Sequence, residues 1–173
     1  MRWILAVSAS VLAATPAAAA LPQGAKAPNI NTVGAVGGKT FRLNLKDQLK
    51  HGPVVLYFFP KAFTKGCTLE AHAFSDAAAD FKKAGARVVG MSADNLDTLK
   101  KFSTEECRSA FPVASATPEI QKAYDVAWAE HPGLTTRTSY VIGKDGKIVM
   151  VHDDLDFSKH VALTMAAVKA LKH

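Results

Sequence analysis

Pro53-Val-Val-Leu-Tyr-Phe-Phe-Pro60-Lys-Ala-Phe-Thr64-Lys-Gly-Cys67-Thr-Leu-Glu70-Ala-His-Ala-Phe74 is the stretch that decides how this chain of 173 residues folds. The apolar run Val54 to Phe59 is too short for a helix core and is β-branched at Val54 and Val55, so it reads as a strand covered on both faces. Pro60 stops it. Beyond Cys67 the period changes: Ala71, Phe74, Ala78 and Phe81 recur every three or four residues, with Glu70, Ser75, Asp76, Asp80, Lys82 and Lys83 on the polar side. That spacing predicts an amphipathic helix with Cys67 in or just before its first turn. Free backbone N–H groups and the positive end of the helix dipole gather there, an environment that favours thiolate over thiol.

Working outward, Gly85 marks the stop of this helix and Ala86 to Ser92 is a second buried-strand pattern, so strand, helix and strand form a unit with parallel strands. Ser92 to Asp97 supplies caps for another helix carrying Leu96, Leu99 and Phe102 on one face. Cys107 falls near its end, ahead of an apolar piece at Phe111 to Ala114. Thr117-Pro118-Glu119 opens a short helix with Thr117 as cap. Ser139 to Ile142, the Asp145-Gly146 turn signal and Ile148 to His152 read as a hairpin, with His152-Asp153-Asp154 in the loop behind it. Val161, Met165, Val168 and Leu171 have helical spacing. Upstream, Leu21 to Thr40 reads as an irregular lead-in to a strand at Phe41 to Leu45. The expected class is α/β: a thioredoxin-like fold, a mixed central sheet with helices on both faces.

The length allows one domain, over residues 21–173. Residues 1–20 read as a signal peptide, with Arg2, an apolar stretch from Trp3 to Ala14, and the small residues Ala18-Ala19-Ala20 for cleavage. The expected location is therefore the periplasm, with no stable membrane span after cleavage. Losing Arg2 reduces the formal charge from +6 to +5, a mild excess with no basic cluster, which argues against nucleic acid as a partner. His72 has no second histidine or cysteine at ligand spacing, so no metal is expected, nor any other cofactor.

Pro60-x-x-x-Thr64-x-x-Cys67 resembles the signature of the peroxiredoxins, and Gly66-Cys67-Thr68-Leu69-Glu70-Ala71 is similar to the peroxiredoxin Q, or bacterioferritin comigratory protein, branch of the alkyl hydroperoxide reductase and thiol-specific antioxidant superfamily. Ala27-Pro28, Arg137 to Ile142 and His152-Asp153-Asp154 extend the resemblance over nearly all of residues 21–173, while Ala62, Phe63 and Lys65 stand where that branch commonly has an acidic pair and a proline. The resemblance implies a monomeric thiol peroxidase for hydrogen peroxide and organic hydroperoxides, recycled by a thioredoxin-type or other dithiol reductant. It implies Cys67 as the attacking sulfur, Cys107 as the resolving one, and Thr64, Arg137 and Pro60 as its helpers. Gly66 and Glu70 would face the substrate, with Glu70 also a partner for Arg137.

Two cysteines in an exported chain also fit a structural disulfide in a non-catalytic domain, where closing a loop of about 40 residues stabilises by roughly 4 kcal/mol. The redox reading needs more than an acidic cysteine. An ordinary thiol is a few per cent ionised at neutral pH, so full ionisation raises the thiolate fraction by at most roughly 30-fold, about 2 kcal/mol. The rest must come from groups that hold the peroxide oxygens and stabilise charge as their bond lengthens. The hydroxyl of Thr64, expected to accept from the peroxide and to bond the thiolate, a role compatible with capping the helix, and the N–H groups of Gly66 and Cys67 are the local candidates.

Overall fold

The computed structural model describes residues 20–171; the expected signal peptide, apart from Ala20, lies outside them. Seven strands form one sheet. They are β1 (Asn31–Val36), β2 (Lys39–Asn44), β3 (Val54–Phe58), β4 (Arg87–Ser92), β5 (Val113–Ser115), β6 (Thr138–Ile142) and β7 (Ile148–Asp153). Their order across the sheet is β2-β1-β5-β4-β3-β6-β7. The helices are α1 (Leu45–Leu49), α2 (Lys65–Lys83), α3 (Leu96–Glu105), α4 (Pro118–Ala123) and α5 (His160–Ala170), the last preceded by a 3-10 turn at Phe157–Lys159.

β3 pairs in parallel with β4, and β4 with β5, while β6 joins β3 from the other side in antiparallel register. Every residue of β3 is buried, because its two faces serve two cores. Val54, Leu56 and Phe58 point into a layer shared with Leu45 and Leu49 of α1 and Ile120 of α4. Val55, Tyr57 and Phe59 point into the layer beneath α2, α3 and α5, with Phe74, Phe81, Leu99, Phe102 and Val168. Tyr57 stacks on Phe74 at 4.3 Å between ring centroids, and Phe59 on Phe102 at 5.2 Å. This is the mixed sheet with helices on both faces that the pattern predicts.

Several expectations need correction. Residues 21–40 are not merely a lead-in: Asn31–Val36 is β1, which turns at Gly37-Gly38, both at positive φ, to pair with β2. Gly34 and Ala35 hid this strand, since small residues carry little apolar signal. They are small because β5 runs against them, and a Cβ on Gly34 would lie 2.4 Å from the Val113 carbonyl oxygen. Leu45 belongs to α1 and not to β2, because Asn44 caps that helix by accepting from Asp47 N–H. His152 and Asp153 close β7 instead of following it, paired with Ser139 and Thr138. Leu171 lies past the end of α5 and is 36% exposed.

Candidate active site

β3 delivers the chain to the site and the sheet grips it there. Phe59 N–H donates to Met91 O at 2.9 Å, and Phe59 O accepts from the buried Thr135 hydroxyl at 2.8 Å. The half-buried Pro60 then opens a turn whose Ala62 N–H donates to Asp94 Oδ2 at 2.8 Å. Phe63 holds φ 64, a left-handed conformation uncommon for a bulky side chain, with its ring edge-to-face on Phe102 at 5.3 Å between centroids.

α2 starts at Lys65, and its first intrahelical bond runs from Thr68 N–H to Thr64 O at 2.9 Å. Cys67 is therefore in the first turn, as expected. Thr64 makes no side-chain cap; its hydroxyl donates to Lys61 O at 2.9 Å. That proton is committed, so Thr64 offers the site lone pairs, which fits accepting from a peroxide and corrects both the cap and the bond to the sulfur. The N–H groups of Gly66 and Cys67, ahead of the first helical bond, remain the local donors.

Arg137 reaches the sulfur from just before β6. Its guanidinium is divided three ways: Nε donates to Leu155 O at 2.8 Å, Nη1 to Glu70 Oε2, and Nη2 to Cys67 Sγ at 3.5 Å. Gly66 makes room for it, since a Cβ there would sit 3.1 Å from Arg137 Nη2. Burial works to lower Arg137, but Glu70 first and then Cys67 more than offset it, so the cation is held more firmly than usual.

Glu70 does not lie on the polar face of α2. It is completely buried behind Arg137, so it meets the site only through that arginine and cannot touch substrate. Burial pushes its carboxyl up to about 8, with Arg137 opposing. On the far side of Glu70 stands His160, also fully buried and 3.7 Å away from Nδ1 to Oε1. Neither His160 nor Ser139, which bonds it at 2.8 Å, was singled out by the sequence, where one histidine at the start of a helix carries no signal.

Cys107 lies just after α3, free and fully buried like Cys67, with Arg108 and Ser109 following at positive φ. Burial first, then Glu106, drives its thiol far above the ordinary range. α2 holds this segment along one face: His72 Nε2 meets Glu106 Oε2 at 2.7 Å, Ser75 donates to Cys107 O at 2.9 Å, and Arg108 donates to Asp76 at 2.7 Å. His72 is thus a tether between α2 and the end of α3.

The AhpC/TSA family pattern matches residues 23–151. The chain belongs to the AhpC/TSA family. Within this family it is similar to the chloroplastic peroxiredoxin Q of Populus jackii, with 34% identity over 84% of this chain and 68% of that one. It is likewise 34% identical to peroxiredoxin Bcp of Escherichia coli K12, over 62% of this chain and 72% of that one. Among solved structures, peroxidoxin BcpB from Mycobacterium tuberculosis superposes with a TM-score of 0.78 at 29% identity, over 87% of this chain and 98% of that one. As an AhpC/TSA peroxiredoxin the chain is a thiol-dependent peroxidase, an oxidoreductase, and its fold is the thioredoxin-like one.

Proposed function

We propose that Cys67 is the peroxidatic sulfur and that Cys107 resolves it within the same chain. The observation that carries this is the Arg137 Nη2 to Cys67 Sγ contact of 3.5 Å at an uncapped helix start. The Cys67 thiolate attacks one oxygen of hydrogen peroxide or an organic hydroperoxide; the O–O bond breaks, and the other oxygen leaves as hydroxide or alkoxide and takes a proton from water. Arg137 and the N–H groups of Gly66 and Cys67 stabilise the charge that moves from sulfur to oxygen. Thr64 accepts from the peroxide O–H and orients it, and Pro60 screens the sulfur from bulk water.

The product is a sulfenic acid on Cys67. The Cys107 sulfur, once deprotonated, attacks it, expels the oxygen as water, and leaves a Cys67–Cys107 disulfide. A thioredoxin-type or other dithiol then supplies two electrons and two protons to restore both thiols. Because Cys107 is buried and tethered by three side chains of α2, resolution requires the segment after α3 to open. Having both cysteines in one chain supports a monomeric cycle.

Residues 21–173 form the mature domain in this reading, exported to the periplasm after cleavage near Ala20. Arg2, the apolar stretch and the alanines before Leu21 support it. Leu21 N–H already donates to Tyr140 OH at 3.1 Å, so tertiary contacts extend up to the expected cleavage point. Among the described residues no helix is long and apolar enough to cross a membrane.

Stopped-flow mixing of the reduced protein with hydrogen peroxide, followed by intrinsic fluorescence and by mass, tests the cycle. A fast step lost in Cys67→Ser, with sulfenic acid accumulating in Cys107→Ser, is the expected result. A fast step that survives Cys67→Ser, or an oxidised wild-type protein that contains no Cys67–Cys107 disulfide, overturns it.

A further inference from the structure

Behind Arg137 lies a buried polar chain that the peroxidase cycle does not use. Glu70 Oε2 is bonded by Arg137, but Glu70 Oε1 is inaccessible to solvent and has no hydrogen-bond partner. His160 Nδ1 stands 3.7 Å from it. The tautomer of His160 follows from its other nitrogen: Nε2 lies 2.9 Å from Asp154 O, a carbonyl that only accepts, so Nε2 carries the proton. Nδ1 is then a bare acceptor, which takes the Ser139 hydroxyl at 2.8 Å. Burial holds His160 neutral down to about 4, with His152 and Arg137 acting in the same direction and Asp154 against it.

Two electron-rich atoms, Glu70 Oε1 and His160 Nδ1, therefore face each other in the interior. A proton on Oε1 relieves this, since it removes the negative charge facing the imidazole edge, whose Nδ1 lone pair already takes the Ser139 hydroxyl. The consequence passes through Arg137. A charged Glu70 and a Cys67 thiolate would both draw on one guanidinium, and Tyr57, the other titratable group near them, offers neither of them a hydrogen bond.

We propose that His160 is a positioning residue for peroxide reduction: its Nδ1 face keeps a proton on Glu70, so that the charge of Arg137 serves the Cys67 sulfur. With Glu70 neutral, Arg137 Nη2 is left to the Cys67 sulfur. The inference rests on Cys67 being the attacking sulfur.

The test is the pH dependence, from 5 to 9, of the stopped-flow rate with hydrogen peroxide, using the full domain. His160→Gln preserves an amide N–H for Asp154 O and removes the acceptor at Nδ1. Its acid limb should move up by about one pH unit, giving a rate about tenfold below wild type at low pH and converging at high pH. His160→Asn, which restores an acceptor near Nδ1, should bring the limb back. In Glu70→Gln, where the carboxyl proton no longer exists, adding His160→Gln should leave the limb where it was. An equal fall at every pH, an unchanged profile, or the same shift in the Glu70→Gln background overturns the proposal. Survival of the fast step in Cys67→Ser is a separate outcome that removes the site itself.

Discussion

The two cysteines are equally buried, yet their surroundings are opposites. Cys67 sits at an open helix start with a guanidinium nitrogen 3.5 Å from its sulfur, and behind that a carboxyl and an imidazole. Cys107 sits beyond a helix end near the aromatic layer of Tyr57, Phe74 and Phe111, where burial and Glu106 hold it as a thiol. Burial by itself makes a sulfur inert; in the proposed cycle the cation is what makes Cys67 the nucleophile of the pair. The contrast also separates the two chemical steps. In that proposed cycle one site is preorganised for the first step, and the other must be released before the second can occur.

The sharpest way to break this contrast is to remove the cation. Arg137→Met should lower the rate of the first step by about 10²- to 10³-fold, roughly 3–4 kcal/mol of transition-state stabilisation, read as the second-order rate with hydrogen peroxide. An effect under threefold would mean that the helix start suffices by itself.

A second test concerns the carboxyl behind the cation. Glu70 is raised in the folded protein, from 4.5 to about 8, so the native state binds more protons than the unfolded one between those values, and stability falls as pH rises through that window. Glu70→Gln lacks this proton. Its unfolding free energy relative to wild type should therefore climb from pH 4.5 to 8, by at most about 1.4 kcal/mol per unit, in urea titrations at several pH values. A constant difference would place Glu70 as a fully charged partner of Arg137.

A smaller effect is expected on the Cys107 side. Ser75→Ala removes the hydrogen bond to Cys107 O, worth about 1 kcal/mol, and should speed disulfide formation about fivefold by easing the opening, with sulfenic acid formation unchanged. The two phases separate in the same fluorescence trace; an acceleration of the first phase would contradict the division of labour. Least of all should change in Tyr57→Phe. The Tyr57 hydroxyl is buried without a partner, so its loss should leave stability within about 0.5 kcal/mol or raise it slightly, by thermal melting.

How much of this was legible beforehand varies with the range of the interaction involved. Val54 to Phe59 and the spacing of Phe74 and Phe81 state a strand and a helix in adjacent residues, and the Asp145-Gly146 turn does the same for the last hairpin. Cys67 at a helix start follows from those local patterns, and family resemblance extends them to Arg137. Glu70 was misplaced because a glutamate among helical polar residues looks solvated; only Arg137, 67 residues away, makes its burial tolerable. β1 was missed because its small residues answer to β5, far along the chain.

The sequence by itself determined the parallel strand-helix-strand unit, the position of Cys67 on it, and the family, because each depends on neighbouring residues and on their period. Tertiary structure alone decided which groups share Arg137, that His160 stands behind Glu70, and that α2 tethers Cys107. Those contacts join elements whose mutual approach is set by packing two cores on one sheet, and a charge's partner in space leaves no periodic trace along the chain.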